Sequence, residues 1–188
     1  MTKNIMIVGV GGQGSLLASK LLGRLLLDFG FDVKVSEVHG MSQRGGSVVT
    51  YVRYGDKVAS PIIDKGEADF IVSFELLEAA RYLEYLKPDG KIIVNTQQID
   101  PMPVITGSME YPQELVEKMT AKGADIEAFN ALELATEAGS SKAVNLVLVG
   151  RLSRYFDFPE SAWQKAIELC VPAKFLELNK KAFSLGRN

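Results

Sequence analysis

The chain has 188 residues, 47% hydrophobic and 23% charged, with a formal net charge of −2, which suits one soluble domain with a full core. That balance supplies no basic field for nucleic acid, there is no Lys/Arg run suited to a lipid surface, and no stretch approaches the ~18 apolar residues of a membrane span. A single Cys and a single His exclude an internal disulfide and leave too few ligands for an iron–sulfur cluster or a structural zinc site within the chain.

The chain reads Met1-Thr2-Lys3-Asn4 and passes directly into an apolar run that is too short for a signal h-region, so the expected compartment is the cytosol. Residues 4–10 predict a strand buried on both faces. Residues 14–30 predict a helix: Lys20, Arg24 and Asp28 recur every four residues as its wet stripe, and Leu17, Leu21, Leu22, Leu25, Leu26 and Phe29 fill the rest. Gly30 is a natural stop. Residues 31–37 form the second strand. Residues 47–54 alternate like a strand, Gly55-Asp56 signals a turn, and 57–63 read as a returning strand. A β-hairpin is therefore expected where a dinucleotide fold has its second helix.

Residues 68–73 predict another buried strand, and 75–86 a helix with Leu76, Ala79, Ala80 and Leu83 facing inward. Pro88-Asp89-Gly90 turns the chain into a strand at 91–95. Prolines at 101 and 103 suit 100–111 to an edge strand or a loop. Pro112 opens a helix to 122 that Gly123 stops, and a strand at 124–129 and a helix at 131–138 follow. Ser140 or Ser141 caps a helix to about residue 156; its interior Gly150 costs roughly 1 kcal/mol of propensity, which suggests a close packing contact. Pro159 starts the next helix, Pro172 separates it from the last, and Gly186 ends that one. There is no internal repeat or linker. The expected fold is a single α/β domain over 1–188: a Rossmann-like, mostly parallel sheet with an inserted β-hairpin and a helical C-terminal cap.

Two glycine-rich loops carry the functional signal. Gly9-Val10-Gly11-Gly12-Gln13-Gly14 follows the first strand and opens the first helix; Glu37-Val38-His39-Gly40-Met41-Ser42-Gln43-Arg44-Gly45-Gly46 follows the second strand. In a parallel sheet both would lie at the carboxyl ends of neighbouring strands, where such folds place their functional surface. Gly9, Gly11 and Gly14 fit G-x-G-x-x-G, and Glu37 stands where an acidic residue would hold an adenosine ribose. The same glycines also serve merely to pack a helix on its strand. Gln13 puts a long polar side chain at the helix mouth. Arg44 offers a fork of donors for an anion or a partner subunit, or else pairs with a nearby carboxylate. His39, the only histidine, is either an acid–base group or a structural hydrogen-bonder. Cys170 shares a helical stripe with Trp163, Ala166 and Ile167 and reads as core. Glu78 and Arg81 read as a solvated pair, and Glu75 as a favourable charge at a helix start. A free-standing NAD(P)-dependent enzyme and a non-enzymatic nucleotide-sensing or assembly module both remain open on these residues.

Together, Gly9 to Gly14, the run from Ser36 to Ser47, Ala68-Asp69 at a strand start and the ending Asn179 to Gly186 resemble the gamma subunit or domain of the 2-oxoacid:ferredoxin oxidoreductases, and within that family its indolepyruvate branch. The resemblance covers nearly the whole chain, and the second loop is its specific part. It implies oxidative decarboxylation of a 2-oxoacid, an aryl pyruvate in the indolepyruvate enzymes, to an acyl-coenzyme A, with electrons passing to ferredoxin. It also implies a larger partner subunit that carries thiamine diphosphate, Mg²⁺ and the iron–sulfur clusters. The residues agree with such a division: the chain has only Gly55-Asp56-Lys57 where a thiamine site needs Gly-Asp-Gly and a later Asn pair. The expectation is a hetero-oligomeric subunit that is inactive alone; its stoichiometry, and whether the isolated chain self-associates, stay open on these residues. Its two loops would complete the substrate or coenzyme A channel, with Arg44 as anion contact and His39 as polar contact.

Overall fold

The computed structural model describes residues 2–39 and 46–188, with His39 described by its backbone alone. Six strands form one sheet in the order β2-β3-β1-β4-β5-β6. They are β1 (Lys3–Val10), β2 (Asp32–His39), β3 (Ser47–Gly55), β4 (Ala68–Ser73), β5 (Leu86–Asn95) and β6 (Asp125–Phe129). β1 pairs with β4, β4 with β5 and β5 with β6 in parallel; β3 alone is reversed, antiparallel to both β1 and β2. The sheet is thus mostly parallel with one antiparallel insertion.

Eight α-helices are described: α1 (Ser15–Asp28), α2 (Leu76–Arg81), α3 (Met102–Ile105), α4 (Leu115–Ala121), α5 (Ala131–Ala138), α6 (Val144–Ser153), α7 (Glu160–Cys170) and α8 (Leu176–Arg187). They cover both faces of the sheet, as a strand buried on both sides demands. On β1, Ile5 and Ile7 face a core shared with α1 and α5 to α8, while Met6 and Val8 face a second core with α2 and α4. α6 and α8 cross with backbone in contact. A Cβ on Gly150 would lie 2.1 Å from the Phe183 carbonyl, and one on Gly186 would lie 2.0 Å from the Val147 carbonyl. The close contact expected at Gly150 is present. Gly186 does not end its helix; it sits within α8 as the other half of that crossing.

Several expectations need correction. The hairpin partner of β3 is β2, and residues 57–63 form no strand. Both edges of β3 are already occupied, so the segment is tied down as a loop: Val58 N–H donates to Asp32 at 2.8 Å, and Arg53 donates to the carbonyls of Ser60 and Ile62. It follows that β1 and β2 are not neighbours, since β3 lies between them. The 88–90 turn is absorbed into β5 as an irregularity, where the pairing with β4 shifts register and Asp89 takes φ 64°. Of the edge strand or loop expected over 100–111, the structure has the loop, with the one-turn α3 opened by the prolines at 101 and 103. The helix predicted over 75–86 is α2 followed by a separate 3-10 turn, Leu83–Tyr85. Phe29, expected inside, is 44% exposed but packs its ring on Phe158 with centroids 4.3 Å apart. Among the described residues no helix is long and apolar enough to cross a membrane.

Candidate functional site

The first glycine loop leaves the carboxyl end of β1 and is braced on three sides. Gln13 folds back instead of standing at the helix mouth: its Oε1 accepts the Val10 N–H at 2.7 Å and its Nε2 donates to the Phe74 carbonyl at 3.2 Å. This explains Gly9, where a Cβ would meet Gln13 Oε1 at 2.8 Å and Phe74 Cβ at 2.9 Å. From α6, Asn145 Nδ2 donates to the Gly14 carbonyl at 3.4 Å. On the third side the Gly11 N–H donates to the Gly46 carbonyl at 2.9 Å. Gly12 and Gly14 take φ 98° and 91°, values that L side chains resist. Gly12 faces open space, whereas a Cβ on Gly14 would lie 2.8 Å from Asn145 Nδ2. α1 starts with no side-chain cap, so its first amides are presented bare at this end of the sheet.

The second loop joins β2 to β3 at the same sheet end. Glu37 stands opposite Thr50, whose hydroxyl donates to it at 3.4 Å. It shares a cleft with Gly11, Gly12, Gly14, Ser15, Leu16 and Val48. With β3 interposed, β2 lies two strand spacings, about 10 Å, from β1, whereas the dinucleotide fingerprint uses an acidic residue on the adjacent strand. His39 continues the ladder opposite Val48. Its side chain, and Gly40, Met41, Ser42, Gln43, Arg44 and Gly45, lie outside the described residues. The structure therefore brings together Gly9, Gly11, Gly12, Gln13, Gly14, Glu37 and Gly46.

Sequence reasoning missed a buried polar cluster behind these loops. Glu75 does stand at a helix start, as expected, but as a buried group: it is 1% exposed and caps α2 by accepting the Glu78 N–H at 2.9 Å. Its other oxygen accepts the Tyr111 hydroxyl at 2.6 Å and the Ile99 N–H at 3.1 Å. Glu78 is not half of a solvated pair. It is buried, accepts the Ser47 hydroxyl, and places Oε1 3.2 Å from Arg81 Nε. Burial pushes the Glu78 carboxyl above its ordinary range; the Ser47 hydroxyl and Arg81 pull the other way and do not prevail. The position of Glu75 at a helix start after a strand was the one available signal, because Tyr111 is distant in sequence and Ser47 borders the loop without any motif.

Asp69, at the amino end of β4, lies at the far end of the sheet. Burial alone would raise its carboxyl, but Lys87, the Asn4 N–H at 2.8 Å and Lys3 at 3.1 Å together hold it below the usual range. Cys170 packs against the α-helical core, and burial pushes its thiol up, as suits an inert side chain.

With a single cysteine the chain does not fit an iron–sulfur cluster. Among the described residues no group of three or more His, Cys, Asp or Glu could hold a metal ion. Gly55-Asp56 closes β3 at the end of the sheet opposite the glycine loops. A family model for pyruvate ferredoxin/flavodoxin oxidoreductase matches residues 4–188. The chain belongs to this family. The indolepyruvate oxidoreductase subunit IorB of Pyrococcus horikoshii is 46% identical over 188 residues, covering 97% of this chain and 93% of that one. The pyruvate oxidoreductase subunit PORC of Thermotoga maritima shares the fold with a TM-score of 0.76 at 24% identity, covering 99% of this chain and 95% of the other. The 2-oxoglutarate:ferredoxin oxidoreductase of Magnetococcus marinus, solved with 2-oxoglutarate, coenzyme A and succinyl-CoA bound, has a TM-score of 0.67 at 18% identity over 99% of this chain and 30% of that chain. The fold of this pyruvate ferredoxin/flavodoxin oxidoreductase family member thus occurs both as a separate small subunit and within a much longer polypeptide.

Proposed function

We propose that this chain is the small, non-autonomous subunit of a cytoplasmic 2-oxoacid:ferredoxin oxidoreductase whose substrate is an aryl pyruvate such as indolepyruvate. The reaction class is oxidative decarboxylation. The 2-oxoacid loses carbon dioxide, its acyl group passes to the thiol of coenzyme A, and two electrons leave to ferredoxin. The larger subunit carries the thiamine diphosphate, Mg²⁺ and clusters. This chain supplies a rim for the substrate or coenzyme A channel, built from Gly11, Gly12, Gly14 and the loop after β2, with Arg44 as anion contact and His39 as polar contact.

One observation carries the reading. A member of this family, matched over residues 4–188, presents a bare, braced glycine loop at one sheet end, and among its described residues no group of three or more His, Cys, Asp or Glu could hold a metal ion. Backbone that lacks side chains allows another body to approach closely. The likeness to a relative named for indolepyruvate supports the aryl substrate. The test is co-expression with the larger subunit, followed by ferredoxin or dye reduction with indolepyruvate and coenzyme A. Activity should require both chains, and Arg44→Ala should weaken the coenzyme A dependence. An isolated chain that oxidises any 2-oxoacid, or a larger subunit fully active without it, would refute the proposal. Saturable NAD(P) binding by the isolated chain would favour the dinucleotide reading instead.

A further inference from the structure

We propose that Glu78 is the positioning residue for the first glycine loop and acts on it through Ser47. The proposal rests on the reading of that loop as part of a rim facing the larger subunit. Glu78 lies on α2, 5% exposed, and its carboxylate accepts the Ser47 hydroxyl. Ser47 stands opposite Val10, where β1 and β3 end together. One residue further, the Gly46 carbonyl accepts the Gly11 N–H at 2.9 Å. The carboxylate therefore reaches Gly11 through one serine side chain and one peptide unit. The Tyr82 hydroxyl lies 3.3 Å from the same serine oxygen.

Glu78 is itself held in place. Its N–H is fixed by Glu75, which is in turn fixed by Tyr111 and Ile99. The bonds run from Tyr111 through Glu75, Glu78, Ser47 and Gly46 to Gly11. Packing alone does not call for a carboxylate at position 78. A buried acid is unfavourable unless its oxygens find donors, and an apolar side chain would fill the space more cheaply. One carboxylate oxygen pairs with the half-exposed Arg81 at 3.2 Å, and the other adds a directed bond to the first residue of β3. Strand ends fray, and the glycines beyond Val10 have no side chains with which to hold themselves. Gln13 and Asn145 brace the loop toward β4 and α6. The brace toward β3 is the one that passes through Gly11, and Glu78 secures it.

The test uses the co-expressed complex with Ser47→Ala, Glu78→Ala and Glu78→Gln, whose amide oxygen still accepts the serine hydroxyl. Amide exchange of the peptide 9–16 is followed by mass spectrometry beside steady-state kinetics. Ser47→Ala and Glu78→Ala should each speed that exchange about fivefold. Each should also raise the KM for coenzyme A and leave kcat within about twofold. Glu78→Gln should restore both readouts, and the double alanine variant should be no worse than either single one. Unchanged exchange in the Ser47→Ala complex overturns the proposal, and so do additive effects in the double variant. Ser47→Ala alters an exposed residue, so the test stands even where Glu78→Ala does not fold. Faster exchange with unaltered kinetics would uphold the Glu78–Ser47 tie and count against the rim reading.

Discussion

Tyr111 donates its hydroxyl to the Glu75 carboxylate at 2.6 Å, and both residues are buried. The pair joins the segment between β5 and α4 to the start of α2, directly behind the glycine loops. Because Glu75 also caps α2 and accepts the Ile99 N–H, a lost phenol leaves a buried carboxylate one donor short. Tyr111→Phe should therefore destabilise the fold by about 1–3 kcal/mol, read as a lower midpoint in urea with an unchanged slope. No change in midpoint would mean that water replaces the phenol without cost.

On the alkaline side Tyr54 and Tyr111 are the tyrosines shifted furthest. Burial, then the Asp69 charge, pushes the Tyr54 phenol up to about 12. Burial, then Glu75, raises Tyr111 further. A phenol whose pKa is higher in the fold than in the unfolded chain stabilises the fold fully below about pH 10, and that contribution is lost as pH rises through the folded value. Stability should fall steeply between about pH 10 and 12. Thermal unfolding across that range, with phenolate absorbance as the second probe, checks it. Phenolate absorbance that reaches its full value before any loss of stability would contradict the assignment.

On the acid side Asp69 contributes, beside Glu127 and Asp32, which their partners also hold low. The Asp69 carboxyl is held below the usual range, so it stabilises the fold above the unfolded value near 3.9, and the contribution is lost as pH falls through the folded value. Asp69→Asn should lower stability at pH 7 by about 1–2 kcal/mol, a modest figure because Lys3 and Lys87 remain partly solvated. It should also flatten the acid limb of the stability curve below about pH 4. A variant with an unchanged acid limb would show that other carboxylates govern it.

What the sequence made legible follows from burial pattern. β4 at 68–73 and α5 at 131–138 coincide with expectation residue for residue because continuous apolar runs and clean helical spacing mark them. The return strand at 57–63 shows the limit: Val58 and Ile63 do point inward, but pairing is decided by which sheet edges are free. β3 had none left, and nothing local in 57–63 encodes that. The first glycine loop was legible as the turn from β1 into α1, and its bracing was not. Gln13 finds Phe74, Gly14 finds Asn145 and Ser47 finds Glu78 across gaps of 61, 131 and 31 residues. No periodicity reports such pairs. Gly150 was legible because a glycine inside an apolar helix is costly unless something approaches it.

That approach gives a sharp prediction. Gly150→Ala and Gly186→Ala each place a methyl about where a carbonyl oxygen already lies, at 2.1 and 2.0 Å. The obstacle in both cases is backbone, which cannot rotate away as a side chain could. Either substitution must push α6 and α8 apart, at the upper end of the roughly 1–3 kcal/mol typical of overpacking or beyond it. Loss of a cooperative thermal transition, or a large fall in its midpoint, is the expected result. Variants with wild-type midpoints would mean that the crossing is looser than these distances.

Gly12 and Gly14 allow backbone strain to be separated from function. Both hold φ near +90°, so an alanine at either pays a strain of about 1–2 kcal/mol. Gly14→Ala also collides with Asn145, whereas Gly12→Ala extends into open space. In isolation Gly12→Ala should therefore be the milder change, by the cost of displacing Asn145 from the Gly14 carbonyl. In the co-expressed complex the order of severity should narrow or reverse if, as proposed, the larger subunit packs on this rim, because a Gly12 methyl would project into the open space there. Melting of the isolated variants beside turnover of the complexes separates the two effects. If Gly12→Ala melts almost as the wild type and its complex is also fully active, the open space beside Gly12 is solvent and no subunit approaches it.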